Sequence, residues 1–398
     1  MEKFRFVDLF SGIGGFHQAM EQLGGRCVFA SEIDSFCNAV YKKNYGMDSG
    51  VNIRNVDEKD IPKHDVLCAG FPCQAFSKAG TQQGLGDKTR GTLFFEIVRI
   101  LRYHHTKYIV LENVRNIVSH DRGNTWRIIQ ESLRELGYRT TAEPLILSPH
   151  YFGIPQIRER VIILGKYEPE NVDSPIAADF GKFKSKGENS IYSILNENEA
   201  DDGYRISEYE ETVLQAWDEF YQGIRLKVIG FPVWAEYFRY SGGYEDLPDW
   251  KAEFIRKNIR LYEDNREFID SWLEKYDGLK GFHRTHRKFE WQCGTRISSV
   301  WEGIIQFRPS GVRVKTPDNF QALVAMVQIP IIGKYRRRLT VKEAARLQSF
   351  PVNDPENPFI PDGNRQQAYK QFGNSVNVEV IRRAAEKLLD CDSNEKEK

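Results

Sequence analysis

The chain has 398 residues, of which 40% are apolar and 28% are charged. This length exceeds the size at which one hydrophobic core usually keeps growing, so we expect two domains in a globular protein. No apolar run approaches the ~20 residues that span a bilayer, and the first residues lead into a strand rather than a secretory signal. We therefore expect a cytoplasmic protein without membrane contact.

Charge and cysteine usage narrow the function classes further. The 56 lysines and arginines equal the 56 acidic residues, so the net charge does not indicate a polyanion partner. A nucleic-acid surface would have to come from local clusters, such as residues 283–288 or 334–338. The six cysteines include no C-x-x-C pair, which argues against a zinc site and against a disulfide scaffold.

The first 166 residues alternate apolar runs with amphipathic segments, which is typical of a parallel sheet built from β-α-β units. Strands are predicted at residues 4–10, 26–30, 65–69, 107–111 and 161–165, and a further strand is expected to end near Asn52. Helices are predicted at residues 15–23, 92–103 and 124–136. This alternation ends at about residue 167. Regular signals return where Thr340 and Glu343 form a capping box for a helix through Leu347. A last helix is predicted at residues 378–389.

Residues 11–16 (SGIGGF) follow the first predicted strand and open a helix. Glycines at such a turn let the backbone approach a ligand closely, and Glu32, after the second strand, could bind ribose hydroxyls. A tight strand-to-helix turn without a ligand accounts for the same residues about as well. The spacing differs from the G-x-G-x-x-G of dinucleotide enzymes, which argues against an oxidoreductase. The Asn52 amide could bond an adenine edge.

Cys73 and Glu112 each follow an apolar run. Ligands and chemistry in open parallel sheets collect at the carboxyl ends of strands, so these two side chains form a candidate nucleophile and a candidate acid. Pro72 and the polar residues after Cys73 indicate an exposed loop, which favours a reactive thiol over inert packing. A carboxyl such as Glu112 is costly to bury and is therefore either exposed or functional.

Residues 156–160 (QIRER) lead into the strand predicted at 161–165. If this segment is extended, Gln156, Arg158 and Arg160 share one face. Two guanidiniums beside a carboxylate and a thiol suit a site that binds a polarised carbonyl or a phosphate. An edge strand with surface arginines is the alternative.

Together these residues resemble one family, the cytosine-C5 DNA methyltransferases. Six blocks match in the family's order, at residues 8–16, 72–74, 112–114, 156–160, 338–351 and 371–376. The resemblance implies an α/β, Rossmann-like, S-adenosylmethionine-dependent methyltransferase sheet with a second, smaller target-recognition domain. It assigns residues 1–175 and 366–398 to the catalytic domain and residues 176–365 to target recognition.

The resemblance also implies the chemistry. Cys73 would attack C6 of a cytosine flipped out of the duplex, and Glu112 would protonate or hydrogen-bond its N3. Arg160 would hold the base's O2 and orient the glutamate, while Arg158 would lie near the thiol or the target phosphate. The methyl donor is S-adenosylmethionine, the product is S-adenosylhomocysteine, and no metal is needed. The loop at residues 77–92 resembles the family's mobile loop that closes over the flipped base.

The donor pocket follows from the same match. The residues expected to form it are Phe10, Gly12, Gly14, Gly15, Glu32, Ile33, Asn52, Pro72, Leu93, Asn374 and Ser375. The family usually has an acid where this chain has Asn52. An amide oxygen can still accept from the adenine amino group, so we expect an altered donor affinity rather than a loss of binding.

The expected partner is a short, specific site in double-stranded DNA, methylated by a bacterial monomer that works beside a cognate restriction endonuclease. In the recognition region, base edges or phosphates could be read by Trp291, Gln292, Cys293, Arg296, Arg308 and Arg313. Two alternatives stay open: a tRNA cytosine-C5 methyltransferase and a catalytically silent DNA-binding protein. Intact Cys73, Glu112 and Arg160 count against the silent protein.

Overall fold

The computed structural model describes residues 2–72, 93–177, 189–226, 229–243, 247–323 and 328–395, and for residues 391–395 it describes the backbone alone. Cys73 and the loop predicted at residues 77–92 lie outside this part of the chain. The chain forms two compact units. The first spans Met1–Asn189, Gln321–Ala325 and Ala344–Lys398, and the second spans Ser190–Phe320 and Met326–Glu343.

The elements up to residue 177 belong to the first unit. In chain order they are β1 (Phe4–Leu9), α1 (Gly15–Gln22), β2 (Gly25–Ser31), α2 (Ser35–Tyr45), β3 (Val66–Gly70), α3 (Leu93–His104), β4 (Tyr108–Val114), α4 (Asn124–Glu135), β5 (Tyr138–Thr140), β6 (Leu145–Leu147), β7 (Gln156–Ile157) and β8 (Arg160–Tyr167). The strands and helices predicted for this half are therefore confirmed to within a few residues, except for the strand expected near Asn52.

Seven of these strands form one sheet in the order β2-β1-β3-β4-β8-β5, with β6 also paired to β8. Strands β1 to β4 run parallel, and their apolar side chains are buried on both faces, as parallel strands require. The strand predicted at residues 161–165 is present, but it runs antiparallel to β4, with Arg160 opposite Val114. The sheet is therefore mixed rather than wholly parallel.

The strand expected to end near Asn52 is a wrong prediction. Asn52 instead caps a single 3₁₀ turn, Ile53–Asn55, and its side-chain oxygen accepts a hydrogen bond from the Arg54 backbone N–H at 3.1 Å. Asparagine side chains that bond the backbone two residues ahead compete with strand pairing. The third strand of the sheet, β3, therefore begins only at Val66.

The elements beyond residue 189 complete both units. In chain order they are α5 (Glu208–Gly223), β9 (Val233–Trp234), α6 (Asp249–Asp264), α7 (Arg266–Lys275), β10 (Lys288–Gln292), β11 (Ile304–Arg308), β12 (Gly311–Lys315), β13 (Phe320–Gln321), β14 (Ile331–Ile332), β15 (Arg337–Arg338), α8 (Val341–Leu347), α9 (Arg365–Asn374) and α10 (Val378–Glu395). Within the described residues, none of the helices is long and apolar enough to cross a membrane.

The second unit is built around a six-stranded sheet in the order β15-β14-β11-β12-β10-β9. Its core is aromatic: the ring of Trp217 in α5 stacks on that of Phe289 in β10, with centroids 4.9 Å apart. These strands have two to five residues each, too few for a readable alternation, which explains why the sequence predicts no sheet here.

The predicted capping box is confirmed. The Glu343 backbone N–H donates to Thr340 Oγ1 at 3.1 Å, and the Thr340 backbone N–H donates to Glu343 Oε2 at 2.8 Å. Glu343 also forms a bidentate ion pair with Arg337, and both side chains are buried.

Residues 344–365 fold with the first unit, whereas the sequence analysis placed them in the second. The reason is apolar packing. The ring of Phe350 lies 4.5 Å from that of Phe359 and 5.5 Å from that of Phe372 in α9. The Val378 backbone N–H also donates to the Gln348 carbonyl at 3.0 Å, which ties the start of α10 to the end of α8.

Candidate active site

The carboxyl ends of β1 to β4 open onto a cavity of about 490 Å³ in the first unit. The predicted site residues that line it are Phe10, Gly12, Gly15, Glu32, Ile33, Pro72, Leu93, Glu112, Arg158, Arg160, Asn374 and Ser375. Asn52 lines an adjoining hollow of about 180 Å³, together with Phe10, Glu32, Ile33 and Leu93. Segments more than 300 residues apart along the chain thus meet at one sheet edge.

The turn after β1 has a backbone that favours glycine. Gly12 and Gly14 have φ of 54° and 85°, and Phe10 also lies in the left-handed region at 56°. A Cβ on Gly14 would lie 2.3 Å from the Tyr45 ring, and one on Gly15 would lie 2.7 Å from Val376 Cγ2. The glycines at 14 and 15 therefore let α1 begin against two neighbouring segments.

Glu32 fixes this turn from the end of β2. Its Oε2 accepts from the Gly12 backbone N–H at 2.9 Å, and its Oε1 accepts from the N–H groups of Ile33 and Asp34 at 2.7 and 2.9 Å. A carboxylate offers about four lone-pair positions, so acceptor capacity remains for a ligand hydroxyl.

Unsatisfied polar groups at the cavity edge provide a test of whether a ligand fits. The hydroxyls of Ser11 and Ser31 are buried and have no hydrogen-bond partner among the described residues. A Cβ on Gly12 would meet nothing within 4 Å. Buried hydroxyls usually have partners, so a polar ligand against the 10–12 turn and the end of β2 fits this site.

Glu112 lies at the end of β4, directly beside the end of β3. It pairs with Gly70 in the sheet register, and only 9% of the residue is exposed. The Nε of Arg160 lies 2.9 Å from its Oε1. Burial raises the pKa of the Glu112 carboxyl, and the charges of Arg160 and Arg158 oppose this shift without cancelling it. The site therefore favours a protonated, hydrogen-bond-donating carboxyl more than water does.

Arg158 is buried and its guanidinium is bonded to the backbone. Nη1 donates to the carbonyls of Gly373 and Leu323 at 2.9 and 3.3 Å, and Nη2 donates to that of Ser375 at 2.8 Å. Burial, with repulsion from Arg160, lowers the pKa of Arg158 to about 9. The predicted alternation holds, since Gln156 and Arg158 are buried while Ile157 between them is 41% exposed.

Two further contacts shape the cavity without a signal in the sequence analysis. Asn113 Nδ2 donates to the Phe71 carbonyl at 2.7 Å, which fixes the chain just before Pro72. Beneath the glycine turn, Tyr45 Oη donates to the Gly14 carbonyl at 3.0 Å, and the Tyr45 ring stacks on His17 at 3.9 Å. An amide directly after the buried run of β4 is the kind of signal that could have indicated Asn113.

The fold has a counterpart among solved structures. The structure is similar to the crystal structure of a putative DNA modification methyltransferase encoded within an Escherichia coli prophage, with a TM-score of 0.57 and 18% identity. The match covers 98% of this chain and 100% of that one. The predicted α/β, Rossmann-like fold is therefore confirmed.

The family model described as C-5 cytosine-specific DNA methylase matches residues 4–390. The chain therefore belongs to this family, and it is a DNA cytosine-C5 methyltransferase. It is 33% identical to the type II methyltransferase M.AluI of Cellulosimicrobium cellulans, across 96% of this chain and 91% of that protein. It is 47% identical to the type II methyltransferase M.MspI of a Moraxella species, across 97% and 70%.

Proposed function

We propose that this methyltransferase flips one cytosine out of a short duplex site and methylates its C5, using Cys73 as the covalent nucleophile. The observation that carries the proposal is the pair of the buried Glu112 and the partly exposed Arg160, which faces the same cavity as the glycine turn. A carboxyl whose pKa is raised by burial, with a guanidinium beside it, is matched to a pyrimidine edge that offers N3 and O2.

The proposed methyl donor is S-adenosylmethionine. When bound, it supplies an electrophilic methyl group on a sulfonium. Glu32 would hold its ribose hydroxyls, since its carboxylate keeps acceptor capacity at the end of β2. Asn52 and Ile33 would border the adenine in the smaller hollow. The rest of the donor would lie against the remaining predicted pocket residues, which are Phe10, Gly12, Gly14, Gly15, Pro72, Leu93, Asn374 and Ser375.

The proposed chemistry begins at Cys73, which lies outside the described residues and whose role rests on the resemblance of residues 72–74 to the family's loop. Its thiolate forms a bond to C6, and the electrons of the C5–C6 double bond shift through C4 to N3, which takes the proton of Glu112. C5, now electron-rich, would take the methyl group as the sulfur–methyl bond of the donor breaks and S-adenosylhomocysteine leaves. Loss of the C5 proton to solvent would then restore the double bond and expel the thiolate, while N3 returns its proton to Glu112.

Arg160 and Arg158 support this reaction in different ways. Arg160 keeps Glu112 oriented and offers a donor to O2 of the base. Arg158 has its guanidinium bonded to the carbonyls of Gly373 and Ser375, so we propose that it positions the donor pocket rather than binding the target phosphate. Its positive charge also lowers the energy of negative charge near Glu112.

The proposed substrate is duplex DNA, and the second unit with its flanking residues is proposed to recognise the sequence. A cytosine inside a duplex cannot reach a thiol, so it must leave the stack. The names of the relatives, type II methyltransferases, support a role in protecting DNA from a cognate endonuclease. We propose that the enzyme acts as a monomer in a bacterial cytoplasm.

Bisulfite sequencing of plasmid DNA from cells that express the protein tests the proposal. Protected cytosines should occur in one recurring context with the wild type and disappear with Cys73→Ser. Cys391→Ser, at a position that the sequence does not assign to the site, is the matched control and should keep the pattern. Soluble wild-type protein that protects no cytosine would contradict the DNA assignment, and transfer to tRNA would then be measured with the same variants.

A further inference from the structure

In the central sheet of the second unit one face is apolar, and the other carries the charged and amide side chains of β10, β11 and β12 beside Ile304. Every second residue of β10, β11 and β12 packs into the core; these residues are Phe289, Trp291, Ile305, Phe307, Val312 and Val314. Successive side chains of a strand point to opposite faces, so the intervening residues share the other face. They include Glu290, Gln292, Gln306, Arg308, Arg313 and Lys315.

Strand register places these polar residues side by side. Arg313 lies between Glu290 on β10 and Gln306 on β11, and Lys315 lies opposite Gln292. Arg308 lies opposite Gly311, which has no side chain to cover it. Directly opposed residues in a sheet bring their side chains within about 5 Å, so the charges of this face act on one another.

The face carries more positive than negative charge. Glu290 pairs with Arg313, whose Nε lies 2.6 Å from its Oε2. Within the described part of the chain, Nη1 of Arg308 is buried and has no hydrogen-bond partner. Burial and the nearby charges of Arg313 and Arg308 lower the pKa of Lys315. Partly buried cations without a partner are unfavourable, so this face favours an anion.

The structure also distinguishes among the residues expected to recognise DNA. The Arg296 guanidinium is engaged by Asp318 and by Thr316 Oγ1, at 2.5 and 2.8 Å. Trp291 is buried, its Nε1 donates to the Gly294 carbonyl at 2.8 Å, and its ring stacks on Tyr221. These two side chains have structural partners, whereas Arg308 retains an unused donor.

We propose that Arg308 and Lys315 contact backbone phosphates of the DNA duplex, with Arg313 held between them by Glu290. This assignment rests on the proposed function, because it takes duplex DNA as the occupant of the face. Two cations on one polar face, each flanked by neutral or absent side chains, suit phosphates, which accept from any donor and carry no sequence information. The two residues therefore contribute affinity and salt dependence rather than base selection.

The dependence of DNA affinity on salt concentration tests this assignment. Fluorescence anisotropy with a labelled duplex that carries the methylated context gives the slope of log K against log salt. Arg308→Ala and Lys315→Ala should each flatten that slope by about 0.9, and the double variant by about twice as much. Arg239→Ala is the charge-matched control in the same unit, since its guanidinium is engaged by Asp270 and Tyr262.

The outcomes separate the two proposals. If the wild type methylates DNA while the variants keep its slope and affinity, the phosphate assignment is overturned and the function stands. Unchanged slopes with a changed methylated context would overturn it in favour of base reading. If the wild type neither binds nor methylates duplex DNA, both proposals fall. Circular dichroism and donor binding establish that each variant is folded.

Discussion

Nη2 of Arg158 lies 2.8 Å from the carbonyl oxygen of Ser375, although the two residues are 217 positions apart in the chain. Arg158 precedes β8, whose first residue, Arg160, binds Glu112, and Ser375 follows α9 at the edge of the proposed donor pocket. One buried side chain thus connects the strand that carries Arg160 to the segment at the edge of the proposed donor pocket.

Arg158→Lys should weaken donor binding while leaving the Glu112–Arg160 pair intact. A lysine keeps the charge but cannot bond two carbonyls as a planar fork does. Hydrogen bonds from charged groups contribute about 1.5–3 kcal/mol, so we expect donor affinity to fall roughly tenfold to a hundredfold. Isothermal titration with S-adenosylmethionine measures this directly, and KM for the donor should rise more than kcat falls.

Arg139→Lys is the matched control for that experiment. Arg139 is also buried in the first unit, where it donates to the Ser174 carbonyl at 2.7 Å and pairs with Glu168. Its replacement should lower the melting temperature without changing donor affinity. Equal donor affinities for wild type and Arg158→Lys, with a lowered melting temperature, would leave Arg158 a purely structural role.

Glu112→Gln should remove the alkaline decline of activity. An acid with a raised pKa gives up its proton only above its usual range, so kcat/KM falls as pH rises through that value. Without the carboxyl, kcat/KM should drop by about 10²–10⁴-fold and should no longer fall as the pH rises through that value. Glu159→Gln, which removes a carboxylate paired with Arg115 nearby, should retain the wild-type pH profile.

The raised pKa of the Glu112 carboxyl should also make its contribution to protein stability fall as the pH rises. The folded protein binds this proton more tightly than the unfolded chain does, so the contribution of Glu112 to stability falls as pH rises from its usual pKa of 4.5 through the raised value. Urea unfolding measured across that pH interval should show that the free energy of unfolding declines less for Glu112→Gln than for wild type. A steeper decline in the variant would contradict the raised pKa.

Gly14→Ala should mainly lower the stability of the protein, whereas Gly12→Ala should mainly lower its affinity for the donor. Both positions have a left-handed backbone, which costs an alanine about 1–2 kcal/mol. At Gly14 the methyl group would also collide with the Tyr45 ring, for which we expect a further ~1–3 kcal/mol. At Gly12 it would enter open space at the cavity, so donor affinity should suffer more than stability.

Thermal denaturation and donor titration of the two glycine variants together check this contrast. We expect Gly14→Ala to have the lower melting temperature. Gly12→Ala should lose only the backbone cost of about 1–2 kcal/mol in stability while binding the donor more weakly. The reverse order of melting temperatures would show that Tyr45 moves aside easily.

Glu343→Gln should destabilise the second unit more than a double variant does. Glu343 and Arg337 form a buried bidentate pair, so removing one charge leaves the other unpaired at a cost of about 3–5 kcal/mol. In Arg337→Met with Glu343→Gln no unpaired charge remains, and the single amide oxygen can accept from the backbone N–H of either Thr340 or Asn196, which bond to different oxygens of the carboxylate. Melting temperatures should rank wild type highest and the single variant lowest.

Local patterns account for most of what could be predicted. The apolar runs of β1 to β4, the glycine turn at residues 11–16 and the Thr340–Glu343 capping box all act within a few residues, so their signals lie in contiguous sequence. The prediction of a strand end at Asn52 was wrong because the sequence is equally compatible with a competing local bond. In that bond the Asn52 side-chain oxygen accepts from the Arg54 N–H.

By itself the sequence predicted most strands of the first unit's sheet and, through the order of its motifs, the roles proposed for Glu112, Arg160 and Cys73. Tertiary structure alone decided that β8 runs antiparallel, that the Arg158 guanidinium binds the carbonyls of Gly373 and Ser375, and that Arg308 and Lys315 share a polar sheet face. The physical reason is the separation along the chain of the residues that interact. Burial periodicity and capping are set by neighbours along the chain, whereas strand direction and the partners of buried polar groups depend on residues brought together only by folding.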